Sequence, residues 1–164
     1  MKLKLGELRG IIETLPEVLK KDLPGGKTSY WLARAAVDIN KEFQVFEDTR
    51  KKMIEGKYGK KYTKDKKDSK GKVIEKKGEL IMEIKKDADG KEVKDANGNP
   101  ISSYVLTDQV AFNKEYMELA EVEVSIKYEP RPIDDFIVKD KDDNEKNVLT
   151  GIEILGLGRL IKEE

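Results

Sequence analysis

Residues 28–56 have the sequence TSYWLARAAVDINKEFQVFEDTRKKMIEG and contain the clearest repeat in the chain. Apolar side chains recur there at alternating steps of four and three, which places them along one side of a helix. The pattern predicts a helix over residues 28–55, roughly 40 Å long, that ends at Gly56. Its seam consists of Leu32, Ala36, Ile39, Phe43, Phe46, Arg50 and Met53.

The segment before this helix, residues 3–23, is also apolar at helical spacing and ends in Leu23-Pro24-Gly25-Gly26. Because the connection is short, residues 1–56 are predicted to form an antiparallel helical hairpin. The seam is too apolar to face water, so we expect a homo-oligomer in which a second subunit covers it. The predicted interface consists of Tyr30, Trp31, Leu32, Ala36, Ile39, Phe43, Phe46 and Met53.

The rest of the chain divides into three segments. Residues 57–78 are rich in lysine and predict a basic, flexible connection. Residues 79–106 contain the turn dipeptides Asp89-Gly90 and Asn97-Gly98 and predict a β-hairpin arm, with the pairing left open by the two turns. Residues 107–164 predict a helix, a strand and a short C-terminal helix that complete a single domain. The expected fold is therefore mainly α with minor β (α+β).

Composition limits the chemistry that the chain can perform. The sequence has neither histidine nor cysteine, so it cannot build Ser-His or Cys-His nucleophile systems or most zinc sites. Abundant carboxylates such as Glu47, Asp48, Glu115 and Glu118 leave a catalytic pair or a Mg²⁺ site open, with coincidence as the simpler interpretation. We therefore expect no enzyme, no catalytic residue, no metal and no cofactor.

Charge and hydropathy restrict partners and location. The 33 basic and 33 acidic residues cancel, which argues against a dedicated nucleic-acid binder. No apolar run is long enough for a membrane span, and the N-terminal residues lack the apolar core of a signal peptide. The expected location is the cytoplasm, the cytosol of a host cell, with no membrane partner.

The Gly25-Gly26-Lys27-Thr28 stretch resembles the end of a phosphate-binding loop. The full motif needs an earlier glycine where Lys21 stands, and it needs a strand in front. Two interpretations remain. In one, the stretch is a turn with Thr28 as the helix N-cap; in the other, free amides at the helix start hold an anion with the help of Lys27.

Arg50 is the one charged residue of the seam. It either pairs with a carboxylate such as Glu47, extends to the surface, or contacts a ligand. The lysine stretch with Tyr58 and Tyr62 either binds phosphates and stacks on bases or is a solvated loop. The candidate ligand-binding residues are Arg50, Lys27, Thr28, Tyr58, Lys57, Lys60 and Lys61.

An acidic stretch near the C-terminus imitates the first half of a calcium loop with Asp140, Asp142 and Asn144. The glycine and glutamate that the motif requires further along are replaced by Glu145 and Gly151. A solvated turn is the simpler interpretation.

Several short motifs of the chain form a recognisable set. They are Leu23-Pro24, Lys27-Thr28-Ser29-Tyr30, Phe46-Glu47-Asp48-Thr49-Arg50, Lys57-Tyr58-Gly59, Phe112-Asn113-Lys114-Glu115, Glu121-Val122-Glu123-Val124 and the acidic C-terminus rich in leucine and isoleucine. Together they resemble a family of small phage and prophage proteins of low-GC Gram-positive bacteria, helical hairpin proteins of unknown function. The resemblance covers residues 1–60 and 108–164 and implies a helical hairpin, a further helix, a short strand and a C-terminal helix. It implies no activity and no functional residue, and the insert at 61–106 departs from it.

Three functions are compatible with these observations. The first is a self-associating, phage-encoded interaction protein without catalysis, which binds a host or phage protein and inhibits a bacterial anti-phage defence component. The second is a small-ligand binder that sequesters an anionic nucleotide signal at a subunit interface. The third is a virion assembly or tail-associated factor.

Overall fold

The computed structural model describes residues 1–139 and 145–162. Its helices are α1 (Leu8–Leu19), α2 (Gly26–Met53), α3 (Gln109–Ala120) and α4 (Gly151–Leu157). Its strands are β1 (Lys2–Lys4), β2 (Lys66–Lys67), β3 (Val73–Glu75), β4 (Met82–Ile84), β5 (Ser102–Tyr104), β6 (Glu123–Ser125), β7 (Arg131–Pro132), β8 (Ile137–Lys139), β9 (Glu145–Asn147) and β10 (Ile161–Lys162). The predicted α+β class, with its long helical hairpin, small antiparallel sheets and short C-terminal helix, is confirmed.

The chain forms two compact units. Unit 1 comprises residues 1–47 and 117–164, and unit 2 comprises residues 48–116. The boundaries therefore lie inside α2 and α3, whereas the segments predicted from the sequence meet at residues 56 and 107. The helical periodicity of the sequence continues through both boundaries, so the position at which one unit ends cannot be predicted from it.

The apolar side of α2 is buried in the single chain. Leu32 and Ile39 have no exposed surface, and Phe46 is 1% exposed. The buried alanine is Ala35, while Ala36 is only half-buried, so that part of the predicted seam is shifted by one residue. The chain itself keeps these side chains from water, so the seam gives no physical reason for a second subunit.

The core of unit 1 joins both ends of its sequence. Helix α1 is amphipathic and packs against α4, while short strand pairs connect the chain ends. Strand β1 pairs antiparallel with β6, β7 pairs parallel with β10, and β8 pairs antiparallel with β9. The largest fully buried side chains here are Leu3, Leu8, Leu15, Val18, Leu32, Ile39, Phe46, Phe136, Leu157 and Leu160.

Helices α1 and α4 approach each other closely at Gly156. A Cβ atom at this position would lie 2.0 Å from Oγ1 of Thr14 and 3.0 Å from its Cβ. The Thr14 hydroxyl is held in place because it donates a hydrogen bond to O of Gly10, at 2.8 Å. The crossing therefore has room for a glycine and not for a larger residue.

We expect Gly156→Ala to lower the free energy of unfolding by about 1–3 kcal/mol, because the new methyl group must displace Thr14. The matched control is Gly151→Ala, at the other end of the same helix, where a Cβ meets no atom within 4 Å. Chemical denaturation of the two variants measures the difference. Equal stability of both variants would contradict the close crossing.

The start of α4 is fixed by a capping box. The Thr150 side chain accepts a hydrogen bond from N of Glu153, and the Glu153 carboxylate accepts one from N of Thr150, as their spacing predicts. The same carboxylate accepts a hydrogen bond from Nζ of Lys21 at 2.5 Å. Lys21 and then the Thr150 amide hold the pKa of Glu153 below its usual 4.5.

A lowered carboxylate pKa means that ionised Glu153 stabilises the fold above pH 4.5 and that this contribution is lost as the pH falls. We expect Glu153→Gln to lower stability at neutral pH and to flatten the acid limb of the stability–pH curve. Glu17→Gln, which removes an exposed ion pair with Lys20, is the control and should change stability by less than ~0.5 kcal/mol. If the stability of Glu153→Gln falls with acid pH as steeply as that of the unaltered chain, Glu153 does not contribute to the pH dependence as proposed.

Unit 2 has its own small core. After α2 the chain makes one wide π-helical turn, Ile54–Tyr58, which brings Ile54 and Tyr58 against Phe112 of α3. The Tyr58 and Phe112 rings meet edge to face, with centroids 5.5 Å apart. Met53, Leu80, Tyr104, Leu106, Ala111 and Tyr116 pack around this cluster.

Three strand segments of unit 2 are joined by a closed ring of backbone hydrogen bonds. Lys60 donates to O of Val105, Val105 donates to O of Ile81, and Ile81 donates to O of Lys60, at 2.8–2.9 Å. Lys85, Ile101 and Val93 form a second such ring with the same distances. The predicted β-arm is therefore a closed three-sided arrangement.

Both predicted turns of the arm are present. In each, an aspartate accepts two main-chain hydrogen bonds and a glycine with positive φ reverses the chain, as at Asp87 and Gly90, and at Asp95 and Gly98. A third turn of the same type, with Asp68 and Gly71, joins β2 to β3. The lysine-rich stretch predicted as a flexible connection is thus a hydrogen-bonded hairpin.

Candidate ligand-binding cleft

Unit 1 contains a cleft of about 720 Å³ between the first turns of α2 and the segment that leads from β6 to β7. Two hydrogen bonds fix that segment, because the main-chain nitrogen of Met1 donates to O of Ile126 and O of Tyr128. Helix α2 supplies one wall and residues 127–131 supply the other. The lining residues are Lys27, Tyr30, Trp31, Arg34, Lys127, Tyr128, Glu129 and Arg131.

The helical wall presents an exposed aromatic pair. Tyr30 is 58% exposed and Trp31 36% exposed, and their ring centroids lie 5.3 Å apart in an edge-to-face arrangement. Lys27 and Arg34 lie one turn before and one turn after this pair on the same face of α2. The wall thus places two exposed aromatic rings between two cationic side chains.

The cleft carries a surplus of positive charge. Its lining contains four cationic side chains and a single carboxylate, that of Glu129. Within residues 1–139 and 145–162, Lys27, Arg34 and Lys127 have no carboxylate within ion-pair distance, and Arg131 has only a loose contact with Asp135 at 3.7 Å. These charges are available to an anion.

Two buried polar atoms of the cleft have no hydrogen-bond partner among the described residues. They are the hydroxyl of Tyr128, a residue only 5% exposed, and Nε of Arg131. A buried donor left unpaired costs about 1–3 kcal/mol. Burial raises the pKa of Tyr128 to about 12, so its hydroxyl keeps its proton and acts as a donor.

Together these groups favour an anionic ligand with a flat ring. Carboxylate or phosphate oxygens accept hydrogen bonds from guanidinium and hydroxyl donors. An aromatic ring stacks on tryptophan or tyrosine.

The structure places one predicted ligand residue, Lys27, in the cleft. Thr28 is buried within the first turn of α2, which begins at Gly26, so the interpretation of Thr28 as the helix N-cap is wrong. Tyr58 is 4% exposed and its hydroxyl donates to Glu115, so its ring cannot stack on a base. Its apolar neighbours in unit 2 explain this burial.

The remaining predicted ligand residues lie in unit 2. Arg50 is half-buried and already has an interaction partner. Lys57 forms an ion pair with Glu115 at 2.6 Å and lies over the Tyr58 ring. Lys60 and Lys61 are exposed at the start of the lysine-rich hairpin.

The predicted interface residues divide into three groups. Leu32, Ile39 and Phe46 are core residues, as described above. Tyr30 and Trp31 line the cleft. The others, all half-buried, are Ala36, Phe43 and Met53.

Five cleft residues were missed in the sequence. They are Arg34 and, on the other wall, Lys127, Tyr128, Glu129 and Arg131. A signal for the helical wall was present, because residues 27, 30, 31 and 34 follow helical spacing on a side other than the apolar seam. Nothing in the sequence indicated that residues 127–131 would lie opposite this face of α2.

The other predicted sites gain no support. Residues 140, 142 and 144 of the calcium-like stretch lie outside the described residues. Glu47 pairs with Arg9, and Glu115 accepts from Lys57 and Tyr58. In the described part of the chain, no three His, Cys, Asp or Glu side chains are arranged to hold a metal ion, and no helix is long and apolar enough to cross a bilayer.

Comparison with known proteins finds no matching family model, no matching curated protein and no matching solved structure. The resemblance to phage proteins therefore stays a prediction from the sequence.

We expect Tyr128→Phe to leave the free protein as stable as before or to stabilise it by up to ~1 kcal/mol, because it removes a buried hydroxyl that has no partner. Tyr58→Phe is the matched comparison, since it removes a hydroxyl that donates to Glu115, and it should lower stability by about 1–3 kcal/mol. Thermal unfolding of both variants without ligand measures this. A similar loss in both would show that Tyr128 is already paired.

Proposed function

We propose that this chain is a non-catalytic binding protein that captures a small anionic ligand with an aromatic ring, as nucleotides have, in the cleft of unit 1. The observation that carries the proposal is the pair of unpartnered buried donors, the Tyr128 hydroxyl and Arg131 Nε, in a cleft with surplus positive charge. A ligand oxygen satisfies such donors and recovers the free energy that their isolation costs.

The roles of the lining residues follow from their chemistry. The Tyr30 and Trp31 rings offer a stacking surface for a base, worth about 1–3 kcal/mol. Lys27, Arg34 and Lys127 supply charge for phosphate groups, with arginine suited to two parallel hydrogen bonds. Tyr128 and Arg131 line the cleft and carry the two unpartnered donors, to which a ligand oxygen would be the acceptor.

A sequestering role fits these groups better than a catalytic one. The lining residues with a hydroxyl are Tyr30 and Tyr128. The raised pKa of Tyr128 disfavours its use as a nucleophile at neutral pH. Self-association, binding to a host or phage protein, inhibition of a bacterial defence component, a virion role and a cytoplasmic location stay predictions from the sequence.

The single tryptophan of the chain, Trp31, lines the cleft and reports directly on its occupancy. We expect its fluorescence to change when the full chain is titrated with mononucleotides, cyclic dinucleotides or ADP-ribose. Two partial ligands should bind at least tenfold more weakly than a nucleotide. A nucleoside lacks the phosphate that accepts charge-assisted hydrogen bonds, and pyrophosphate lacks the base that stacks on the aromatic rings.

Arg34→Gln removes one charge-assisted contact and should weaken nucleotide binding about tenfold or more. Lys41→Gln removes an exposed cation from the same helix outside the cleft and should bind like the unaltered chain. If no probe changes Trp31 fluorescence at millimolar concentration, or if both variants weaken binding equally, the proposal is wrong.

A further inference from the structure

The zero net charge of the chain conceals a segregation of charge between its two units. Unit 2 contains 18 basic and 13 acidic residues, a net charge of +5, and unit 1 contains 15 and 20, a net charge of −5. The balance that argues against a polyanion partner for the whole chain therefore does not hold for unit 2 by itself.

The positive charge of unit 2 is concentrated in residues 60–77, which we name the lysine ribbon. This stretch has nine lysines against three acidic residues, and every one of those lysines is exposed. Its centre is the antiparallel pair β2–β3, which the Asp68 turn connects. At its base, Tyr62 donates to O of Glu79 and Gly78 donates to O of Tyr62.

Two of the three acidic residues of the ribbon accept hydrogen bonds from its main chain and, among the described residues, form no ion pair with its lysines. Asp68 accepts main-chain hydrogen bonds from Lys70 and Lys72, and Asp65 accepts one from N of Lys77. Only Glu75 pairs with an ammonium group of the ribbon, that of Lys66 at 3.3 Å. The other eight lysines have no ion-pair partner in the part of the chain that the structure describes.

The shape and chemistry of the ribbon fit a nucleic-acid duplex. A two-stranded β-ribbon fits the major groove of DNA, where phosphates flank it on both sides. The nine exposed lysines stand before, within and after this strand pair, so cations accompany the ribbon along its length. The ribbon contains no arginine, asparagine or glutamine, the side chains that most often read bases with two hydrogen bonds.

We propose that the lysine ribbon enters the major groove of double-stranded DNA and contacts its phosphates without reading the sequence. Such binding rests on counterion release and weakens steeply with salt. An anionic membrane is a poorer fit, because Ile74 is the ribbon's one exposed large apolar side chain and no apolar face accompanies the lysines.

The test measures fluorescence anisotropy of a labelled DNA duplex of mixed sequence with the full chain, between roughly 50 and 200 mM salt. The ribbon variant combines Lys64→Glu, Lys67→Glu, Lys70→Glu and Lys72→Glu. The control combines Lys85→Glu, Lys86→Glu, Lys91→Glu and Lys94→Glu, four exposed lysines of the same unit whose reversal changes the net charge equally.

We expect the unaltered chain to bind two unrelated duplex sequences within threefold of each other and to lose affinity at least tenfold over this salt range. The ribbon variant should lose at least tenfold at low salt and the control less than threefold. Absence of binding, equal loss in both variants, or tighter binding to phosphatidylserine vesicles or polyglutamate would overturn the proposal.

Circular dichroism checks that the ribbon variant is folded. If it is not, Lys70→Gln with Lys72→Gln at the turn replaces it, and that pair should still weaken binding at least threefold. Unchanged affinity in the folded variant would refute the ribbon as the contact. The Trp31 fluorescence titration is independent, because it reports the cleft of unit 1, so failure of either proposal leaves the other standing.

Discussion

Helix α2 must keep one side away from water, and the rest of unit 1 follows from that constraint. Leu32, Ile39 and Phe46 are completely or almost completely buried, and burial of each is worth about 1.5–3 kcal/mol. The stripe determines how the helix is rotated in the fold. Lys27, Tyr30, Trp31 and Arg34 lie roughly a third of a turn away from it, so the rotation that buries the stripe also presents the cleft wall.

The cleft combines groups that a folded protein does not need for its own stability. The Tyr128 hydroxyl and Arg131 Nε are unsatisfied where they lie, and the nearby cations repel one another. Groups held in place before a ligand arrives lose less entropy when it binds. An arrangement that costs stability in the free protein and favours an anion is typical of a binding site.

Local patterns were enough to predict the helices, the fold class and two turns of the arm, because each depends on residues close in sequence. They were not enough for the cleft. Arg131 and Trp31 are far apart in the chain, and nothing in either local pattern indicates that they share a cavity. From the sequence, we predicted that a second subunit buries the apolar seam of α2. The sequence does not show how much of this surface is buried by other parts of the same chain. The turn at Asp68 and Gly71 was not predicted from the sequence. The many lysines of this stretch predicted a flexible connection, and the Asp-x-x-Gly spacing was not considered beside them.

The closed rings of backbone hydrogen bonds in unit 2 bear on how this part of the chain folds. In the first ring, the main chain of each of Lys60, Ile81 and Val105 donates to one of the other two residues and accepts from the other. The ring therefore forms only when all three chain segments are in place. The chain must close long loops before this arrangement gains its full stability, and loop closure costs entropy. We therefore expect the rings to assemble late, after the local helices, and their amide protons to exchange with solvent together as one cooperative group.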